Sequence, residues 1–169
     1  MIKSNYLAVH LLNDFSGSPL VLSNCIDALI DNDCHVELLT SKDEGFLSRC
    51  NCKKNIIQYK RFDNKFLTLV SFLFCQIILF FTVFFKTLFI KKAGKPIVLI
   101  NTVLPFGAAL GAKLGGCYVV YYVHEISIRP LILKKWLKWV LNRTADKAIY
   151  VSNYLKASEG ANSQGIEEH

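Results

Sequence analysis

His124 and Glu125 are the two residues of this chain best placed to do chemistry. An imidazole titrates near neutrality, so His124 can act as an acid, a base or a hydrogen-bonding partner to a hydroxyl. The pair closes an uninterrupted run, Tyr118-Val-Val-Tyr-Tyr-Val123, half of which is valine. A β-branched and aromatic run of this length reads as a strand buried on both faces. Open α/β sheets bind ligands in the crevice outside the carboxyl ends of such strands. Taken alone, the dipeptide would equally well begin a surface loop.

Other polar residues interrupt apolar runs in the same way. Ser16-Gly17-Ser18, Thr40-Ser41, Asn101-Thr102 and Ser152-Asn153 each follow an apolar or β-branched segment. Gly17 between two serines falls short of a GxGxxG fingerprint. An ordinary tight turn explains it as well as a phosphate loop does, although the free N–H groups of a helix start suit an anion or a sugar hydroxyl.

The elements that position these residues alternate. Residues 5–12 read as a first strand. A helix follows with Ser18 as N-cap and Pro19 at its first position, running to about Asp31. His35–Thr40 is a second strand and Asn55–Lys60 a short third one, reached through an irregular stretch containing Lys53 and Lys54. Pro96–Thr102 is a fourth strand. Pro105 opens a helix of small residues able to pack close to a sheet, which Gly115-Gly116 end. The central strand 117–123 comes next, then a helix over Leu131–Arg143, and Lys147–Ser152 is a sixth strand leading to a short helix. Six strands alternating with helices predict one α/β domain, a Rossmann-like doubly wound parallel sheet of residues 1–157. Residues 158–169 form a polar tail. All the polar interruptions then fall on one edge of the sheet.

Residues 66–85 contain no charge, and a helix of that length could span a bilayer. Basic residues flank both ends (Lys60, Arg61 and Lys65 before; Lys86, Lys91, Lys92 and Lys95 after), so no positive-inside asymmetry appears. A crossing would also divide one sheet between two compartments. The favoured expectation is a crossover helix, continuing to about residue 90, whose surplus apolar surface dips into one leaflet. A true span and a fully buried helix are the alternatives. In the helix at 131–143, Leu133, Trp136, Leu137, Val140 and Leu141 share one face and Lys134, Lys135, Lys138 and Asn142 another. That pattern fits an interfacial membrane helix and equally a sheet-docked helix with a solvated lysine face.

Bulk composition narrows the classes further. With 52% apolar and 20% charged residues, the 169-residue chain is no disordered segment. Its formal charge of +7 favours an anionic neighbour: nucleic acid, a phosphorylated substrate or an anionic leaflet. Met1–Tyr6 lack the apolar stretch of a signal peptide. Six scattered cysteines contain no CxxC pair, and the four histidines are dispersed, so no metal site is expected. The cysteines read as reduced, in a cytoplasmic protein.

Four pieces in order resemble the amino-terminal domain of family 4, GT-B-type glycosyltransferases: residues 11–19, 100–109, 123–125 and 148–156. The resemblance implies one half of a two-domain fold, holding mainly the acceptor, while a second half binds a nucleotide-sugar donor. It implies that Gly17 approaches the donor, that His124 lies near the reacting sugar, and that Ser16, Ser18, Asn101, Thr102, Glu125, Ser152 and Asn153 line the substrate site. No cofactor is implied, and nucleic acid is not an expected partner. The apolar helix and basic surface are similar to those that bring such enzymes to lipid-linked acceptors, at the inner face of the plasma membrane. The Glu-x7-Glu motif of the donor half has no counterpart in these 169 residues, so activity is expected to need a donor half from elsewhere. Two other readings compete: a non-catalytic membrane-surface binding module, and a nucleotide-binding Rossmann protein, which the missing GxGxxG weakens.

Overall fold

Apolar runs form the interior strands, and the six strands among the described residues all pair in parallel in a single sheet. The computed structural model describes residues 5–42, 44–90, 96–124 and 129–152. In chain order the elements are β1 (Asn5–His10), α1 (Gly17–Asp31), β2 (His35–Thr40), a 3-10 turn (Phe46–Arg49), β3 (Lys53–Ile56) and α2 (Lys65–Ile90). They continue with β4 (Ile97–Asn101), α3 (Phe106–Leu114), β5 (Tyr118–Val123), α4 (Leu131–Thr144) and β6 (Lys147–Tyr150). This is the expected Rossmann-like α/β sheet. The strands lie in the order β3-β2-β1-β4-β5-β6, which reverses direction between β1 and β4, the switch point where such folds open a crevice.

The strand period of two sorts side chains into two cores. Leu7 and Val9 of β1, Val98 and Ile100 of β4 and Val119 and Tyr121 of β5 pack against α2, α3 and α4. Ala8, Leu38, Leu99 and Val120 point the other way, onto Leu22 and Ile26 of α1 and Leu47 of the 3-10 turn. Both faces are covered, which explains why β1, β4 and β5 read as continuous apolar runs rather than alternating ones.

α2 buries one stripe and exposes the rest. Phe72, Cys75, Gln76, Leu79, Val83 and Thr87 recur at three-to-four-residue spacing and face inward. Phe66, Val70, Phe74, Ile77, Phe81, Phe85 and Phe89 on other faces are exposed. The helix is long and apolar enough to cross a membrane, yet it joins two strands of one sheet.

Several boundaries differ from the sequence reading. α1 begins at Gly17, so Ser16 is its N-cap, not Ser18, and Ser16 makes no side-chain cap bond. Its hydroxyl donates to Asp14 Oδ1 (2.5 Å) instead, an Asx-like contact that competes with capping. β3 lies at 53–56 rather than 55–60 and includes Lys53 and Lys54. As an edge strand it needs little apolar character, and its register is fixed by charge: Lys53 sits opposite Glu37 and donates to it at 3.3 Å. The small residues of α3 serve two neighbours, not the sheet alone. Ala108, Ala109 and Ala112 fill the core, while Gly107 and Gly111 meet the α2 backbone at Gln76 and Phe80. The short helix expected after β6 lies outside the described residues.

Candidate active site

The same period of two that buries Ala8, Leu99 and Val120 on the α1 side carries one step further to His10 and Asn101, and two steps further to His124 just past the end of β5. All three therefore reach the carboxyl edge of β1, β4 and β5 on one side of the sheet, at the switch point. Asn101 is fully buried and His10 is 3% exposed, whereas His124 is half-buried.

Asn101 links both histidines to the start of α1. Its Nδ2 donates to the Ser18 carbonyl at 3.0 Å. A carbonyl can only accept, so the amide orientation is fixed and Oδ1 must face His124 Nε2, at 2.9 Å. His124 Nε2 therefore carries the ring proton. The second Nδ2 hydrogen points to His10 Nδ1 at 3.0 Å, and the main-chain carbonyl of Asn101 lies 3.3 Å from the same nitrogen. The amide asks Nδ1 to accept and the carbonyl asks it to donate, so these contacts do not choose between a proton on Nδ1 and one on Nε2. His10 Nε2 is buried with no partner among the described residues. A buried polar atom left unpaired costs about 1–3 kcal/mol, and it calls for an explanation in the structure.

Electrostatics keep both rings neutral. Burial pushes the His10 pKa down, opposed in part by the Asn101 and Leu12 carbonyls and by the Asp14 carboxylate, and lowered further by His124. Burial alone lowers that of His124. A neutral His124 protonated on Nε2 carries its lone pair on Nδ1, the form required to accept a hydroxyl proton.

The loop that opens α1 is held from beneath. Asn13, fully buried, accepts from Leu47 N–H at 3.0 Å and donates to the Lys42 carbonyl at 3.3 Å. Phe46 N–H donates to the Asp14 carbonyl (3.1 Å), and the Phe15 and Phe46 rings meet edge to face at 5.3 Å. Gly45 has a positive φ of 131° and passes so near that a Cβ would sit 2.6 Å from Asn13 Oδ1. Only glycine fits there. Asp14 accepts from Ser16 N–H (3.0 Å) as well as its hydroxyl, and this hydroxyl bond, against burial, holds its carboxyl below the usual range.

On the far side Thr102 takes a left-handed φ of 70°, unusual for a β-branched residue. Its N–H bonds the Tyr122 carbonyl at 2.8 Å, which continues the β4–β5 ladder past the strand end and turns the chain away above Asn101. Strained backbone of this kind clusters at functional sites.

Of the residues chosen from sequence, Ser18 (through its carbonyl), Asn101 and His124 come together, with Thr102 beside them. Ser16 is turned toward Asp14. Gly17 has nothing within 4 Å of where a Cβ would stand, so that position faces open space. Ser152 is exposed beyond β6, two strands from β4 and so roughly 10 Å across the sheet. Glu125 and Asn153 lie outside the described residues. Sequence reasoning missed His10 and Asn13. The signal for His10 was present: a histidine inside an apolar strand, in phase with the buried Ala8.

No protein-family model matches the chain, and no curated protein matches it. Solved structures do match in fold. A structure described as a UDP-N-acetylglucosamine 2-epimerase from Listeria monocytogenes aligns with TM-score 0.64 at 11% identity, covering 98% of this chain and 45% of that one. A glycosyltransferase from Rickettsia africae gives 0.61 at 15% identity, covering 98% and 42%. MurG of Acinetobacter baumannii gives 0.56 at 12% identity, covering 87% and 41%. The chain thus spans under half the length of each, and its fold is that of one half of a GT-B-type enzyme.

Proposed function

We propose that this chain is the amino-terminal, acceptor-side half of a family 4, GT-B-type glycosyltransferase. It works with a donor-binding half, on the same or another polypeptide, to move sugar from a nucleotide-sugar to a lipid-linked or cell-surface glycan. The observation that carries this reading is the His10–Asn101–His124 array at the switch point, tied to the start of α1. A neutral, desolvated imidazole with a fixed tautomer is suited to hold or deprotonate a sugar hydroxyl. The first-turn N–H groups of α1 and the open space at Gly17 suit phosphate or sugar oxygens. Glu125, Ser152 and Asn153 extend the expected substrate edge.

The exposed aromatic face of α2 and the stacked Trp136 and Trp139 on α4 (centroids 5.1 Å) support a peripheral seat on an anionic membrane, at its cytoplasmic face. Exposed apolar area on this scale also favours the second reading, a membrane-surface module without chemistry.

The test is transfer. The chain, combined with its donor half, is incubated with a panel of nucleotide-sugars and a membrane lipid extract. Nucleotide release with sugar appearing in the lipid or glycan fraction supports the proposal. Vesicle binding with no nucleotide released from any donor supports the membrane module. Sugar epimerised without transfer refutes both.

A further inference from the structure

The carboxyl edge of the sheet has a second cavity, on the α2 and α4 side rather than the α1 side. It measures about 600 Å³, within the usual range for small-ligand sites. Leu11 and Leu12, directly after His10, and Leu104, directly after Val103, form part of its wall. Three cations stand in its lining: Arg61 before α2, Lys65 at the first position of α2, and Arg129 before α4. Among the described residues no carboxylate lines it. Lys65, the one basic residue in the first turn of α2, sits where the helix dipole would rather have an acid. Three positive groups are therefore gathered around one apolar cavity, with no carboxylate beside them in its described lining.

Its apolar wall does not end at the cavity. Leu69 lines the cavity and is itself exposed, and it leads onto the exposed row of Phe66, Val70 and Leu73 along α2. The chemistry is thus cationic at the mouth and continuous with an apolar helix face. We propose that this groove binds the phosphate headgroup of a membrane lipid, with Arg61, Lys65 and Arg129 on the phosphate oxygens and the chain running along α2. Guanidinium groups match phosphate oxygens in paired geometry, and lysine adds a point charge. The inference rests on the lipid-acceptor reading above and specifies it: the acceptor's lipid is joined through phosphate. The groove and the His10–Asn101–His124 array both lie toward the carboxyl edge of the sheet, on its opposite faces.

Vesicle flotation with the full chain tests the inference without needing transfer. Three vesicle types serve: phosphatidylcholine alone, and phosphatidylcholine doped to equal surface charge with phosphatidic acid or with phosphatidylglycerol. The groove predicts preference for phosphatidic acid, whose phosphomonoester is accessible. The triple variant Arg61→Gln/Lys65→Gln/Arg129→Gln should lose roughly tenfold or more of that binding and drop to the phosphatidylglycerol level. The control variant Lys134→Gln/Lys135→Gln/Lys138→Gln on α4 should weaken both anionic vesicles alike. Soluble glycerol 3-phosphate should fail to displace the protein, because it lacks the chain that α2 holds. Binding that follows surface charge alone, an unaltered triple variant, or full displacement by glycerol 3-phosphate would each overturn the proposal. Matched thermal melts separate these outcomes from misfolding. Failure of the transfer assay would leave the vesicle result standing, and the reverse, so the two claims fail separately.

Discussion

His10 shows how a single buried group couples the site to stability. Its folded pKa is below the unfolded value, with burial as the main cause, and His124 is shifted the same way. Below about pH 6.5 the unfolded chain binds protons that the native rings resist. Stability is therefore full above that pH and falls as the pH drops from there toward the folded pKa values. Urea melts at a series of pH values should show this loss, and His10→Gln should flatten part of it; an unchanged slope would place His10 outside the titration. Gly45 offers a sharper local test. Alanine there meets both a positive φ and the Asn13–Asp14 backbone, so Gly45→Ala should cost about 1–3 kcal/mol in denaturant melts. It should also loosen the loop that opens α1. These residue roles were only partly legible in the sequence. Asn101 and His124 stood out because each ends an apolar run, but the hydrogen bond between them joins residues 23 apart and needed the β4–β5 register. Asn13 read as loop punctuation because its partners, Lys42 and Leu47, lie about thirty residues downstream.

α2 and α3 are the elements whose packing most constrains the molecule. Gly107 and Gly111 let the two backbones touch, and Gly107 N–H donates to Gln76 Oε1 at 3.0 Å. A methyl at Gly111 would run into the Phe80 carbonyl, so Gly111→Ala should destabilise by about 1–3 kcal/mol through overpacking, read as a lowered melting temperature. A neutral substitution would mean that α2 is free to shift outward. Near its other end α2 is fixed by Lys86, which bonds Glu37 at 2.7 Å. Burial raises the Glu37 pKa, but the Lys86 and Lys53 contacts outweigh it and leave the carboxyl below its usual range. The helix itself was readable from composition, and so was its surplus of apolar surface. Which stripe would be buried was not, because phenylalanine and leucine occur on every side. Three glycines spaced by four, Gly107 and Gly111 in α3 and Gly115 at its C-cap, carried that information from outside α2. β3 was misplaced for the opposite reason: an edge strand anchored by Lys53 and Glu37 has too little apolar character to announce itself.

At the scale of the whole molecule, six parallel strands in one sheet bind the two ends of α2 to the same side of any membrane. Cysteines engineered at Lys60 and Pro96 should both be labelled by an impermeant reagent from one and the same side; labelling from opposite sides would break the single sheet. The alternation of strand and helix made this architecture legible, since both-face burial of β4 and β5 leaves a direct trace in valine and isoleucine content. The convergence of His10, Asn101 and His124 depended on topology, with β1 and β4 adjacent although some ninety residues apart in sequence. The central claim is that this convergence handles sugar, and His124→Ala tests it most directly. A residue at a strand tip, half-buried, contributes little to packing, so the variant should melt within a few degrees of the parent. With the donor half present, its rate of sugar transfer from the nucleotide-sugar should fall by about 10²-fold or more, the usual effect of losing a positioned acid–base group. Parental transfer rates in a variant with a matched melt would remove His124 from the site and contradict the account.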